Sequence, residues 1–600
     1  MAIGTRCAHV PERLLTSGHD GLTSFEDWAS HQTRTLPRAT SGFLSRPVAP
    51  SPSRTLIRSL GRAGRILATV AALAATACAQ RSAGPGDAAA PVTLVVAQQR
   101  EPGSLNPALE NGTSSTEWGE LIFQYLVKYD DRGTLIGDAA TEVPSLRNGG
   151  ISRDGLTITY HLRRGLRFSD GTPLTAHDCV YSVDAINDPN NDPQSRFGYD
   201  VVSRAEARDE TTLVLHLKRP FAPLLVTVLA PQGFPILPAH LLARLHDFNR
   251  IPFNSAPVGS GPYAVVKWTR GEAVELRANP YYAGGKPKIE RLRIRFAPDP
   301  NTAMNLLRTG EAQGYFSDLD YGNYPVLQQI RGMRVTRTPM NAVGAIIFNT
   351  SDPVTKDVRV RRALAAALDV PSIMQKTYRG AVSTTNAGRG LFLRAHEPKA
   401  FPDSRYDPGA ARALLEAAGW SEAADGIRRK NGKPLEVLFI MQAATPGDAI
   451  IGNAVAQYER AVGAAVVLKA FNVTQFVAPA DQGGPVYGGK FQMALYPFVN
   501  GDDPDTSDQF SCKTVPPHGY NKSRICDPRI DALLLAGQRT YDTTQRKAIY
   551  ARLQTILHDR LPIVLLYQRP ELDTFTERLR NQTTSVSTAW WNVGSWQLAP

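Results

Sequence analysis

The chain has 600 residues, 42% apolar and 20% charged, with a formal charge of +12. That length exceeds a single hydrophobic core, so two or more lobes are expected, and the composition excludes a mini-protein, a fibre, a disordered chain and a multi-span membrane protein. Nine Arg and only four acidic residues precede position 78, which leaves a mild excess of seven positive charges spread over residues 78–600. With no run of five Lys/Arg, this reads as a solvated basic surface and gives no nucleic-acid footprint.

In chain order, residues 1–55 are polar and aperiodic. They are too long for a standard signal-peptide n-region, which points to a start assigned too far upstream or an unusual leader. Arg58, Arg62 and Arg65 then precede the apolar run 66–77, too short to span a bilayer but suited to a signal-peptide core. Cleavage is expected before Cys78. Ala75-Thr76-Ala77 offers small residues to ordinary signal peptidase, and residues 73–78 resemble a bacterial lipobox with Ala75 where Leu is common. The expectation is a leader at 1–77, lipidation of Cys78 and a flexible membrane tether at 78–90.

A strand is predicted at Thr93–Ala97, a turn through Glu101–Pro107 and a helix from about Ser115 to Val127. Period-two patterns at Leu156, Ile158, Tyr160 and Leu162, and again at Leu213, Leu215 and Leu217, predict half-buried strands. Leu292, Ile294 and Phe296 alternate with Arg291, Arg293 and Arg295, a strand with one wet basic face. Further on, Asp357 caps a helix carrying Val360, Leu364 and Leu368. Asp407-Pro408 opens a helix closed by Gly419, and Asp527-Pro528 opens another. A last helix stops before Pro562, and Ile563–Tyr567 reads as a buried strand.

No phosphate-binding Gly-rich loop, dinucleotide fingerprint, zincin motif, nucleophile elbow or Cys-x-x-Cys pair occurs, and the histidines after Cys78 are scattered. No cofactor or metal is expected. Cys179 stands alone, whereas Cys512 and Cys526 enclose a loop whose closure by a disulfide would stabilise by roughly 3 kcal/mol; two buried thiols are the alternative. Asp502, Asp503, Asp505 and Asp508 crowd a Gly/Pro turn. Such a cluster can bind Ca²⁺, act as paired acid and base, hold a ligand ammonium, or cap its own turn.

Several segments taken in order resemble the family 5 extracytoplasmic solute-binding proteins of ABC importers, which include dipeptide, oligopeptide and nickel receptors. They are Pro102–Pro107, Leu162–Ser182 with its Asp170-Gly-Thr-Pro-Leu-Thr-Ala stretch, Pro257–Tyr263, Asn279–Tyr282, Phe348–Thr350, Asp357–Leu364 and Tyr406–Pro408. The resemblance covers nearly all of 92–600. It implies an α/β fold of two lobes, the type II binding-protein fold, joined by two crossing strands near 345–349 and 563–567. Lobe I would comprise 91–140, 256–345 and 566–600, with an extra subdomain at 141–255, and lobe II would be 346–565. Ligand between the lobes would shift an open–closed equilibrium, and the closed form would dock on a membrane permease driven by its ATPase.

Similar dipeptide receptors carry a Cys pair corresponding to Cys512 and Cys526, and hold the peptide ammonium with an Asp four residues before the Pro of an Asp-Pro pair. That position is Asn500 here, while a one-residue insertion brings Asp502 to it, with Asp503 adjacent. Where those receptors pair ligand backbone with a Gly-Trp-type strand, this chain has Tyr496-Pro497-Phe498-Val499. Pro497 removes one N–H, and Tyr496 and Phe498 are expected as apolar walls. Ser114, Ser115 and Trp118 match a cleft loop, with helix packing the alternative for Trp118. The expected function is a monomeric, membrane-tethered, non-enzymatic receptor for a peptide or peptide-like solute. A nickel chelate or small glycoside is the alternative ligand, and a secreted hydrolase using Asp502 and Asp503 the alternative class.

Overall fold

The computed structural model describes residues 91–599 except 111, 232, 318–320 and 444, and of 112–115 it describes the backbone alone. The leader, Cys78 and the tether lie outside the described residues, as do the side chains of Ser114 and Ser115.

A ten-stranded sheet carries the molecule. In chain order its strands are β1 (Thr93–Gln98), β2 (Tyr263–Thr269), β3 (Ala273–Ala278), β4 (Arg291–Phe296), β5 (Gly314–Phe316), β6 (Met333–Phe348), β7 (Glu436–Gln442), β8 (Ala465–Phe471), β9 (Met493–Val499) and β10 (Ile563–Thr576). Across the sheet the order is β8-β7-β9-β6-β10-β5-β1-β4-β3-β2. Strands β6 and β10, 16 and 14 residues long, pair antiparallel and pass through both lobes. The C-terminal part of β6 pairs β9 from Ala342 to Phe348, and the C-terminal end of β10 pairs β5 through Asp573–Phe575.

The ladder between the two long strands breaks where one lobe passes into the other. Pro339 faces Pro570, and the next pair is Val343 with Gln568. Neither proline has an N–H, so that rung carries no backbone bond. The Gln568 side chain instead donates to the Met340 carbonyl at 2.9 Å.

Local signals account for most other elements. Asp357, Asp407 and Asp527 each accept a backbone N–H of the first helical turn, from Arg359, Ala410 and Arg529 at 2.9, 2.9 and 3.1 Å. Gly419 ends the second of these helices with φ +85°. In β4, Leu292, Ile294 and Phe296 are buried, while Arg293 and Arg295 form exposed pairs with Glu272 and Glu311. A separate three-stranded sheet is formed by Thr157–His161, Thr212–Leu217 and Val202–Asp209, within the segment expected to be the extra subdomain. A helix, Ala176–Asn187, accompanies it and is opened by a capping box between Thr175 and Asp178.

One helix differs from its prediction. It spans Gly112–Ile122, and Val127–Tyr129 is a strand. Tertiary acceptors take the amides that would have continued the helix: Gln124 donates to Ser260 Oγ, Tyr125 to the Asp138 carboxylate and Leu126 to the Leu229 carbonyl. Trp118 on this helix is 1% exposed inside the lobe I core.

The Pro257–Tyr263 segment packs directly on that helix end. A Cβ on Gly259 would lie 2.0 Å from the Ile122 carbonyl oxygen, and one on Gly261 would lie 2.6 Å from backbone atoms of Ile122 and Phe123. Only glycine permits this approach. In lobe II, Cys512 and Cys526 form a disulfide with a Cα separation of 4.6 Å, and Cys179 is buried and free.

Gly261→Ala is expected to cost about 1–3 kcal/mol through overpacking, read as a lower urea midpoint. Replacing both Cys512 and Cys526 by Ser is expected to lower the midpoint by the equivalent of about 3 kcal/mol, with the same midpoint in wild type once a reductant is added.

Candidate ligand site between the lobes

A cavity of about 480 Å³ opens where β6 and β10 cross between lobes, within the size range of small-molecule sites. Its charged and polar lining comes from five regions. The hairpin joining Val127–Tyr129 to Leu135–Gly137 contributes Tyr129 and Arg132, and the crossing strands contribute Asn341 and Gln568. Lobe II contributes Arg389 and Arg394 from one segment, Asp502 and Asp503 from the loop after β9, and Arg546, Lys547 and Tyr550 from the helix Thr543–Arg560.

Asp502 ties these regions together. Its carboxylate accepts from Asn341 Nδ2 on β6 at 2.6 Å and from Ser587 Oγ near the C-terminus at 2.9 Å. Its backbone carbonyl accepts from the Tyr129 hydroxyl at 3.1 Å. The residue keeps some accessible surface, but the carboxylate is enclosed by these partners, and burial pushes it up to about 6. Asp503 is committed differently: it accepts two bonds of 2.6 Å from the Arg546 guanidinium and one from the Asp505 amide. The Asp505 carboxylate accepts from Gln538 Nε2 at 2.8 Å and caps the Ser507 amide, and burial lifts it too to about 6. A second interlobe bond runs from Arg394 to the Arg132 carbonyl at 2.7 Å.

The other residues singled out from sequence are placed apart from this cavity. Asn500 stands behind the loop, its Nδ2 donating to the Gly390 carbonyl at 2.7 Å, its Oδ1 accepting from Gln509 and its amide donating to the Asn341 carbonyl. Tyr496 lines a separate cavity of about 60 Å³ with Tyr378 and Tyr567, stacks on Phe476 and lies 4.5 Å from Lys522 Nζ. Phe498 is 6% exposed in a lobe II core cluster, and Trp118 lies in the lobe I core. Neither Phe498 nor Trp118 lines the cavity, because each points into packed apolar side chains. Sequence reasoning passed over Arg132, Arg389, Arg394 and Lys547. These come from three segments far apart in the chain, and no local pattern marks them.

A family model described as bacterial extracellular solute-binding proteins, family 5 Middle, matches residues 135–516. The chain belongs to this family. Family 5 proteins are the solute-binding components of ABC importers, and so is this one. Protein XP55 of Streptomyces lividans is 30% identical to it over 522 residues, 84% of this chain and 89% of that protein. Di/tripeptide-binding protein 2 of Pseudomonas aeruginosa is 26% identical over 499 residues, 79% of this chain and 89% of its own length. The crystal structure of NikZ from Campylobacter jejuni in complex with Ni(L-His) is similar with a TM-score of 0.70 at 26% identity, over 85% of this chain and 100% of that one. The last two differ in ligand, a di- or tripeptide in one name and Ni(L-His) in the other. Among the described residues no helix is long and apolar enough to cross a membrane.

The interlobe bonds of Asp502 are expected to make lobe closure pH-dependent. Its carboxyl, ordinarily at 3.8, is raised to about 6 in this arrangement, so the closed form holds the proton more tightly than an open one. Closure is therefore expected to be firmest below about pH 4 and to weaken as the pH rises through 6. Scattering or interlobe fluorescence transfer between pH 3 and 8 is expected to register this step, and Asp502→Asn to flatten it. Arg546→Ala leaves Asp503 buried without its cation and is expected to destabilise by about 3–5 kcal/mol. Adding Asp503→Ala is expected to restore part of that loss in a urea titration.

Proposed function

We propose that this family 5 protein captures a peptide or peptide-like solute in the cavity between its lobes and hands it to a membrane permease and its ATPase. The observation that supports this reading best is the cavity itself, which draws its lining from lobe I, the crossing strands and lobe II. A ligand there touches both lobes at once and so stabilises the closed form over the open one. The lobe boundaries we propose are 91–140, 256–345 and 566–600 for lobe I, 141–255 for its subdomain and 346–565 for lobe II.

The protein acts outside the cytoplasm as a monomer, tethered by lipid on Cys78 after removal of 1–77. Binding leaves the solute intact. Asp502 and Asp503, the pair a hydrolase would need, each accept bonds from the protein's own donors, which favours the receptor reading. A nickel chelate, such as the Ni(L-His) in complex with NikZ, is the alternative cargo.

Native mass spectrometry of the protein purified from its host, followed by release and identification of the cargo, tests the reading. A released peptide is the expected result; a metal chelate or a sugar would replace the peptide assignment and leave the import role in place. Incubation with peptides or glycosides is expected to return them unhydrolysed. Cys78→Ser is expected to move the protein from the membrane fraction to the soluble extracytoplasmic fraction.

A further inference from the structure

Charge accounting in the interlobe cavity points to a ligand held by its negative group. The lining carries Arg132, Arg389, Arg394, Arg546 and Lys547 against Asp131, Asp502 and Asp503. Asp502 and Asp503 are committed to Asn341, Ser587 and Arg546, and Arg546 is committed in return. Arg394 spends one N–H on the Arg132 carbonyl and keeps its charge without a carboxylate partner among the described residues. Arg132, Arg389 and Lys547 are exposed to the cavity, and no described acidic side chain pairs with them. Four cations without a carboxylate partner thus face the cavity, opposed by Asp131 and by Asp502, whose hydrogen-bond donors are neutral.

The walls make this charge count. Leu225, Val226, Pro339 and Val586 line the same cavity, and an apolar surround focuses the field of the cations onto whatever enters. An ammonium placed here meets repulsion from four cations and finds Asp502 and Asp503 already bonded. A carboxylate, phosphate or sulfonate meets the reverse situation, with guanidinium groups suited to bidentate contact.

We infer that the specificity-determining residues of the cavity are Arg389, Lys547, Arg394 and Arg132, and that they select a solute bearing an anionic group while leaving a free α-ammonium unrecognised. This rests on the reading of the interlobe cavity as the ligand site. It separates this chain from receptors that anchor an ammonium on a carboxylate, and it names the acidic group as the handle of the cargo.

The test uses calorimetry on the full protein with four forms of trialanine: free, N-acetylated, C-amidated and doubly blocked. Acetylation is expected to change affinity less than threefold, whereas amidation is expected to weaken binding at least tenfold. Arg389→Gln and Lys547→Gln are each expected to weaken the acetylated acid at least fivefold, to shrink its salt dependence, and to leave the doubly blocked form unchanged. Asp131→Asn is expected to strengthen binding of the acids. Loss of binding on acetylation, reproduced by Asp131→Asn, would overturn the inference and leave the peptide reading standing. If none of the four binds, the peptide reading fails, and the inference is decided by the cargo released from host-purified protein. An acidic cargo lost from the Arg389→Gln, Lys547→Gln double variant supports it; a cargo without an acidic group, one retained by that variant, or no cargo at all overturns it.

Discussion

The antiparallel ladder between β6 and β10 is the constraint on which the rest of the molecule depends. These strands are neighbours in the middle of the ten-stranded sheet and join its two halves. Where Pro339 faces Pro570 the ladder has no N–H to offer, and three residues of β6 pass before pairing resumes. Pairing is continuous from Met333 to Pro339 on one side of that gap, and on the other it shifts register once more between Gly344 and Ala345. The ligand cavity opens at this same point, with Asn341 and Gln568 from the two strands in its lining.

Closure is built from polar contacts that radiate from the gap. Asn341 sits in the unpaired stretch of β6 and binds both the Asn500 amide, through its carbonyl, and the Asp502 carboxylate, through its side chain. Asp502 then reaches Ser587 and Tyr129 in lobe I. The acidic loop after β9 therefore serves to hold the lobes and the helix at Arg546, and its charges are satisfied before any solute arrives. Apart from Asp131, the charged side chains left without a partner in the cavity are cationic. The division follows from the cost of enclosing a carboxylate, which must be met by donors wherever it lies.

Much of the scaffold was legible in the chain itself. The Asp N-caps at 357, 407 and 527 and the alternation along β4 act through local geometry, and local geometry is written in adjacent residues. The helix at 112–122 was legible in its existence and not in its end, because Ser260, Asp138 and Leu229, remote in sequence, supply the acceptors that stop it. The family resemblance made Tyr496 and Phe498, on one face of β9, expected walls of the ligand site. Whether that face meets a ligand or a core is set by Phe476 and its neighbours, which pack against it.

By itself the sequence determined the fold family, the position of the caps and the existence of an acidic loop at 502–508, since each rests on residue identity at short spacing; it left Cys512 and Cys526 open between a disulfide and two buried thiols, and the structure joins them. Only the tertiary structure decided what that loop does. Asp502 and Asp503 find Asn341, Ser587 and Arg546 across separations of 161, 85 and 43 residues. The cavity charge likewise exists only once four distant segments converge. Electrostatic interactions are fixed by distance in space, and a linear chain records only distance along itself.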